Sequence, residues 1–141
     1  MFNPTRDQAR SFLIDSWRKR RTHLPLTPLE TIAADLIDIH PEYHALLEAA
    51  NALTREWTPE QGETNPFLHL SLHLAIEEQL SINQPPGICT VFNTLQSRFG
   101  DRHAALHDLL ECLGETVWRA QRDRQPPDSQ AYLDCLKRRL G

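Results

Sequence analysis

Apolar residues recur along this chain three and four positions apart, the spacing of a helix with one buried face. Between 102 and 124 the stripe is Leu106, Leu109, Leu110, Leu113 and Val117. Between 41 and 56 it is Tyr43, Leu46, Leu47, Ala50 and Leu53, and near the C-terminus Tyr132, Leu133, Leu136 and Leu140 repeat it. The segment 66–81 differs: Phe67, Leu68, Leu70, Leu72, Leu74, Ala75, Ile76 and Leu80 run almost all round the helix, which predicts a central, buried position. No alternation of Val, Ile or Thr suggests a strand.

Prolines punctuate the pattern. Asn3-Pro4, Thr27-Pro28 and Asn65-Pro66 each set a capping residue before a proline at the first helical position, and Asp128 follows Pro126-Pro127 in the same role. Helices are predicted at about 4–21, 28–39, 41–56, 66–81, 88–98, 102–124 and 128–139. Pro41 disfavours helical geometry at His40, so either His40 ends one helix and caps the next, or 28–56 is one kinked helix. Residues 57–64 read as a polar connector and Gln84-Pro85-Pro86-Gly87 as a sharp turn. The expected fold is all-α: a helical bundle with a four-helix-like core (28–56, 66–81, 88–98, 102–124) and covering N- and C-terminal helices. The 141 residues are expected to form a single domain, with 125–141 as a C-terminal appendage.

Composition narrows the function classes. The net charge of −4 gives no global reason to expect nucleic acid. The local exception, Arg18-Lys19-Arg20-Arg21 after Trp17, also suits a helix end, where cations are favoured. No apolar run has membrane-spanning length, and the N-terminus lacks the features of a secretory signal. Cys89, Cys112 and Cys135 are odd in number, widely spaced and without a Cys-x-x-Cys pair. They read as no disulfide framework, with Cys112 a small buried hydrophobe, and point to a reducing, cytoplasmic setting. Trp57 and Trp118 read as packing residues near helix ends.

The chemistry lies in the histidines. Six of the seven fall into a repeated His-x3-His-x3-Glu pattern: His40-His44-Glu48, His69-His73-Glu77 and His103-His107-Glu111. Residues four apart share a helix face, so each triplet sets two imidazoles and a carboxylate on one edge. The intervals of 29 and 34 residues between triplets are too irregular for a solenoid, so the pattern marks recurring function on successive helices. A single such pair is more often a hydrogen-bonding element between helices; three pairs shift the reading to a metal centre. Imidazole with carboxylate suits iron, zinc, nickel or copper rather than magnesium or calcium. His69, His73, His107 and His44 are the first candidates as ligands, with His40 and His103 as ligands or supporting groups. Glu77, Glu48 and Glu111 would bridge two metals, orient imidazoles or act as base. Asp108 and Glu115 are further oxygen donors. The ligand set fits a mono- or dinuclear divalent transition-metal centre with hydrolytic or oxygen chemistry open to it. The zincin motif, the nucleophile elbow, phosphate-binding glycine loops and the Glu-x-x-His pairs of di-metal carboxylate bundles are absent. The alternative is a non-enzymatic protein-interaction module whose histidines form an interior network; pH sensing by the cluster is a third reading.

Several stretches carry a resemblance. Residues 65–81 (NPFLHLSLHLAIEEQLS) with Gln84-Pro85-Pro86-Gly87 resemble a bacterial family of unknown function, found as small stand-alone proteins. Met1-Phe2-Asn3-Pro4 with Arg6-Asp7-Gln8, residues 25–30, His40-Pro41-Glu42-Tyr43-His44 and Glu111-Cys112-Leu113-Gly114-Glu115 fit it too. The resemblance covers nearly the whole chain and implies a cytoplasmic bacterial protein without an assigned activity. More loosely, His69-x3-His73 and His73-x3-Glu77 are similar to elements of hemerythrin-like and DinB-like metal-binding bundles. The order of the full set departs from the hemerythrin pattern, so oxygen binding is not implied.

Overall fold

The computed structural model describes residues 6–57 and 65–140. The Asn3-Pro4 cap and most of the 57–64 connector lie outside them. The described residues form seven α-helices and no strand. They are α1 (Arg6–Arg21), α2 (Pro28–Asp38), α3 (His44–Glu48), α4 (Pro66–Ile82), α5 (Ile88–Phe99), α6 (Arg102–Asp123) and α7 (Ser129–Arg139). A short 3-10 turn, Pro41–Tyr43, precedes α3. The all-α class agrees with the apolar stripes. The chain divides into two compact units, Met1–Leu74 and Ala75–Gly141.

The capping residues work as their chemistry predicts. The Thr27 hydroxyl accepts from the Glu30 amide at 3.2 Å, while the Glu30 carboxylate accepts from the Thr27 amide at 2.9 Å, a reciprocal capping box. Asn65 Oδ1 accepts from the Phe67 and Leu68 amides, and Asp128 Oδ1 from those of Gln130 and Ala131. Asp101 does the same for α6. Each cap satisfies amides that a helix start leaves unpaired. Thr27→Ala is expected to cost about 1 kcal/mol, read as a lower urea midpoint with an unchanged slope; an unchanged midpoint would contradict the role.

In the first unit, α1 packs on α2 and α3 around Leu13, Trp17, Ala33, Leu36, Ile37, Leu47, Phe67 and Leu70. The basic run at the end of α1 is engaged in ion pairs. Lys19 meets Glu30 at 2.7 Å, Arg20 bridges Asp35 and Asp38 at 2.8 and 2.6 Å, and Arg18 and Arg21 approach Asp15 and Glu48 at 3.7 Å. The hydrogen bond from Lys19, reinforced by the Thr27 amide, holds the Glu30 carboxyl below its usual range. Its contribution is therefore present at neutral pH and fades as the pH falls through that depressed value.

The expected helix over 41–56 does not form as one element. A 3-10 turn and the five-residue α3 take its first half, and turns carry the chain from Ala49 to Thr54. Two causes are visible. Pro41 forces His40 off helical geometry, at φ −125° and ψ 63°. Farther on, the buried Arg10 guanidinium donates to the Leu53 and Arg55 carbonyls at 3.1 and 2.7 Å. The same guanidinium lies over the Trp57 and Phe67 rings, so 53–57 follows a path set by α1 rather than by helical hydrogen bonds. Leu53 is consequently exposed and the predicted stripe is broken.

In the second unit α5, α6 and α7 pack together, with Ile88, Phe92, Leu95, Leu106, Leu109 and Leu136 buried. Cys112 and Cys135 form a disulfide joining α6 to α7. This corrects the reading of the cysteines as unpaired. Cys112 is fully buried as expected, but bonded; its partner lies 23 residues away, a pairing that spacing alone cannot reveal. The cysteine pattern therefore no longer argues for a reducing compartment. Tyr132, whose phenol burial pushes well above its usual pKa, donates to Gln79 Oε1 at 2.8 Å. Trp118 departs from its expected packing role: it is 58% exposed, with the Arg122 guanidinium over its ring.

Candidate metal centre

The end of α2 builds the first half of the site. A helix leaves its last carbonyls without partners. Here histidine side chains bond two of them: His40 Nδ1–H donates to the Leu36 carbonyl at 2.7 Å, and His44 Nε2–H to the Ile37 carbonyl at 2.8 Å, which also accepts from the His40 amide at 3.0 Å. The bond to Leu36 fixes the His40 tautomer. In the neutral ring Nδ1 carries the proton, so Nε2 carries the lone pair. A carbonyl holding one imidazole nitrogen so that the other can ligate is the usual support of a metal-binding histidine.

The other half comes from α4, which presents His69 and His73 one turn apart on one face. His40 and His73 are buried and His69 is partly so. The three rings form a nearly equilateral triangle. Their centroids are 5.0, 4.9 and 4.8 Å apart and their planes are inclined at 60–73°. His69 Nε2 lies 3.2 Å from His40 Nε2 and 3.2 Å from His73 Nε2. Tyr43 closes one side, parallel to His40 at 5.5 Å and edge-on to His69 at 5.7 Å. Burial raises the pKa of its phenol, with a smaller push from Glu42.

Proton counting distinguishes two uses of this geometry. A ring nitrogen offers one proton or one in-plane lone pair, never both. His69 Nε2 faces two other Nε2 atoms, so a neutral ring can meet both only by sharing a single proton between them, not with two full hydrogen bonds. Three lone pairs turned toward a common cation satisfy all three nitrogens together. In a tetrahedral site with metal–nitrogen bonds of roughly 2.0–2.1 Å, neighbouring ligand nitrogens sit about 3.3–3.4 Å apart. The observed separations lie close to that edge length.

The remaining triplet members are placed otherwise. His44 does not follow His40: the 3-10 turn between them breaks the four-residue register, and its ring stacks on Trp17 at 4.3 Å. Glu48 accepts from Trp17 Nε1 at 3.1 Å. Glu77 takes a two-pronged contact from Arg102 at 3.0 and 3.1 Å. Glu111 meets Arg139 at 2.8 Å, and Arg139 also reaches Asp108 at 3.1 Å. Glu115 pairs with Arg119 at 2.6 Å. In the second unit the rings of His103 and His107 lie 4.1 Å apart on α6. Sequence reasoning missed Tyr43 as a wall of the site, because it sits in the stripe of a helix that does not form. The Trp17 partnership with His44 and Glu48 left no periodic signal either.

The fold and this cluster define an all-helical protein with a group of histidines able to hold a metal ion. The chain belongs to the family described as Domain of unknown function (DUF1841), whose model matches residues 5–138. No match was found among curated proteins or among solved structures. The resemblance to hemerythrin-like bundles gains no support from these comparisons. Among the described residues no helix is long and apolar enough to cross a membrane.

Proposed function

We propose that this protein holds one divalent transition-metal ion through His40, His69 and His73. The observation that carries the reading is the pair of 3.2 Å contacts made by His69 Nε2, for which a neutral ring has only one proton or one lone pair. Each of these three histidines offers a ring nitrogen to such an ion. Imidazole ligands suit iron, zinc, nickel or copper. The engagement of Glu48, Glu77 and Glu111 with Trp17, Arg102 and Arg139 supports a mononuclear centre over a carboxylate-bridged pair. An open coordination position would let a metal-bound water act in hydrolysis, and a redox metal would admit oxygen or peroxide chemistry.

The test is elemental analysis of protein purified without a histidine tag or chelators. The expected result is one equivalent of a transition metal per chain. Stripped protein given the same ion at about a hundredfold excess over its Kd should gain roughly 2.7 kcal/mol of stability. Absence of metal, with no stabilisation by iron, zinc, nickel or copper, would contradict the proposal.

A further inference from the structure

The two sulfurs of the Cys112–Cys135 bond are not equally enclosed. Cys112 is 0% exposed, whereas Cys135 is 8% exposed and lines a cleft of about 590 Å³ built by α6, the α6–α7 connection and α7. Thr116 and Ala120 follow Cys112 by one and two turns, and Ala131 precedes Cys135 by one; all three line the cleft, and their short side chains leave the approach to Cys135 open. Charge is distributed unevenly around that approach. Of the cleft's arginines, Arg119 is paired with Glu115 at 2.6 Å and Arg122 with Asp123 at 2.9 Å. The third carboxylate, Asp128, caps α7 through the Gln130 and Ala131 amides. Arg138, one turn beyond Cys135, makes no ion pair among the described residues. The accessible sulfur therefore sits beside a guanidinium that no carboxylate neutralises.

We propose that Cys135 is a thiolation site, and that the cleft admits a low-molecular-weight thiol carrying an anionic group. The thiolate is the nucleophile in such exchange. It attacks Cys135 Sγ and forms a new S–S bond there. The Cys112–Cys135 bond breaks, and its electron pair leaves on Cys112 Sγ, which takes up a proton. A second molecule of the thiol then attacks the sulfur of the first, releasing Cys135 as a thiolate. The protein disulfide gains two electrons, and the two thiols leave joined as their own disulfide. Burial assigns the attacked atom, because Cys112 offers no surface to an incoming sulfur. Arg138 assigns the class of thiol, by attracting an anionic end and repelling a cationic one.

The test compares three thiols that differ at the far end alone: mercaptoethanesulfonate, mercaptoethanol and cysteamine. Each is added to full-length protein, and acid-quenched samples are alkylated to follow release of the two cysteines. Dividing each rate by that of the same thiol with a small neutral disulfide removes the thiol's own nucleophilicity. The sulfonate should then react roughly fivefold faster than cysteamine, as one exposed ion pair allows, with mercaptoethanol between them. Peptide mapping at short times should find the adduct on Cys135. Arg138→Gln should abolish the ranking while leaving the mercaptoethanol rate unchanged. Arg98→Gln, the same charge change on α5 outside the cleft, should preserve it. Equal normalised rates, an adduct on Cys112, or a ranking that survives Arg138→Gln would overturn the proposal. So would a rate independent of thiol concentration, since reduction would then wait on unfolding of the chain.

Discussion

Replacing His69 and His73 together by alanine is expected to abolish stoichiometric transition-metal binding. Both imidazoles come from one face of α4, and their removal leaves His40 alone of the triangle. Loss of a supporting group that only orients a ligand typically weakens binding ~10–100-fold; loss of two ligands must exceed that. Because His73 is fully buried, the double variant needs a stability control. His69→Gln, at a partly exposed position, keeps a polar side chain of similar size but places no imidazole, and should bind at least about 100-fold more weakly if the ring is a ligand. The informative contrast is His44→Ala. Its ring caps Ile37 and stacks on Trp17, so the expected loss is about 1–2 kcal/mol of stability with metal stoichiometry unchanged. Isothermal titration of the three variants, with urea melts alongside, separates the roles. Equal metal loss in His44→Ala and His69→Gln would contradict the assignment.

Breaking the Cys112–Cys135 bond is the second large effect expected. The link closes a segment of 23 residues between α6 and α7, and cross-linking a loop of that length restrains the unfolded chain by roughly 3 kcal/mol. Cys135→Ser should therefore lower the urea midpoint markedly, and reductant should lower the wild type to about the same value. Cys89 provides an internal reference. Its thiol donates to the Leu80 carbonyl at 3.1 Å and is not in the bond. Alkylation after denaturation should label Cys89 alone without reductant and all three cysteines with it. Labelling of all three without reductant, or coincident melts, would contradict the disulfide.

Much of the fold was legible because its signals are local. Thr27-Pro28, Asn65-Pro66 and Asp128 mark helix starts through short-range hydrogen bonds, and the Leu106–Leu113 stripe follows from helical period alone. The segment after Pro41 was not legible in the same way. Its path depends on Arg10, more than forty residues earlier, donating to the Leu53 and Arg55 carbonyls. The site divides along the same line. His69 and His73 could be paired because α4 is an unbroken helix. The pairing of His40 with His44 presumed a helix that Pro41 prevents, and the two rings diverge: one joins His69, the other Trp17. Arginine partners explain the carboxylates. Nothing in the triplet spacing indicates that Arg102 will meet Glu77 or Arg139 will meet Glu111, since those contacts are made by other helices.

The central claim is that imidazole nitrogens surround a metal. X-ray absorption at the edge of the metal found in untagged protein tests it most directly. The account predicts a first shell dominated by nitrogen at roughly 2.0–2.1 Å, with the outer-shell scattering of at least three imidazole rings. A shell dominated by carboxylate oxygen, or one with a single imidazole, would contradict it.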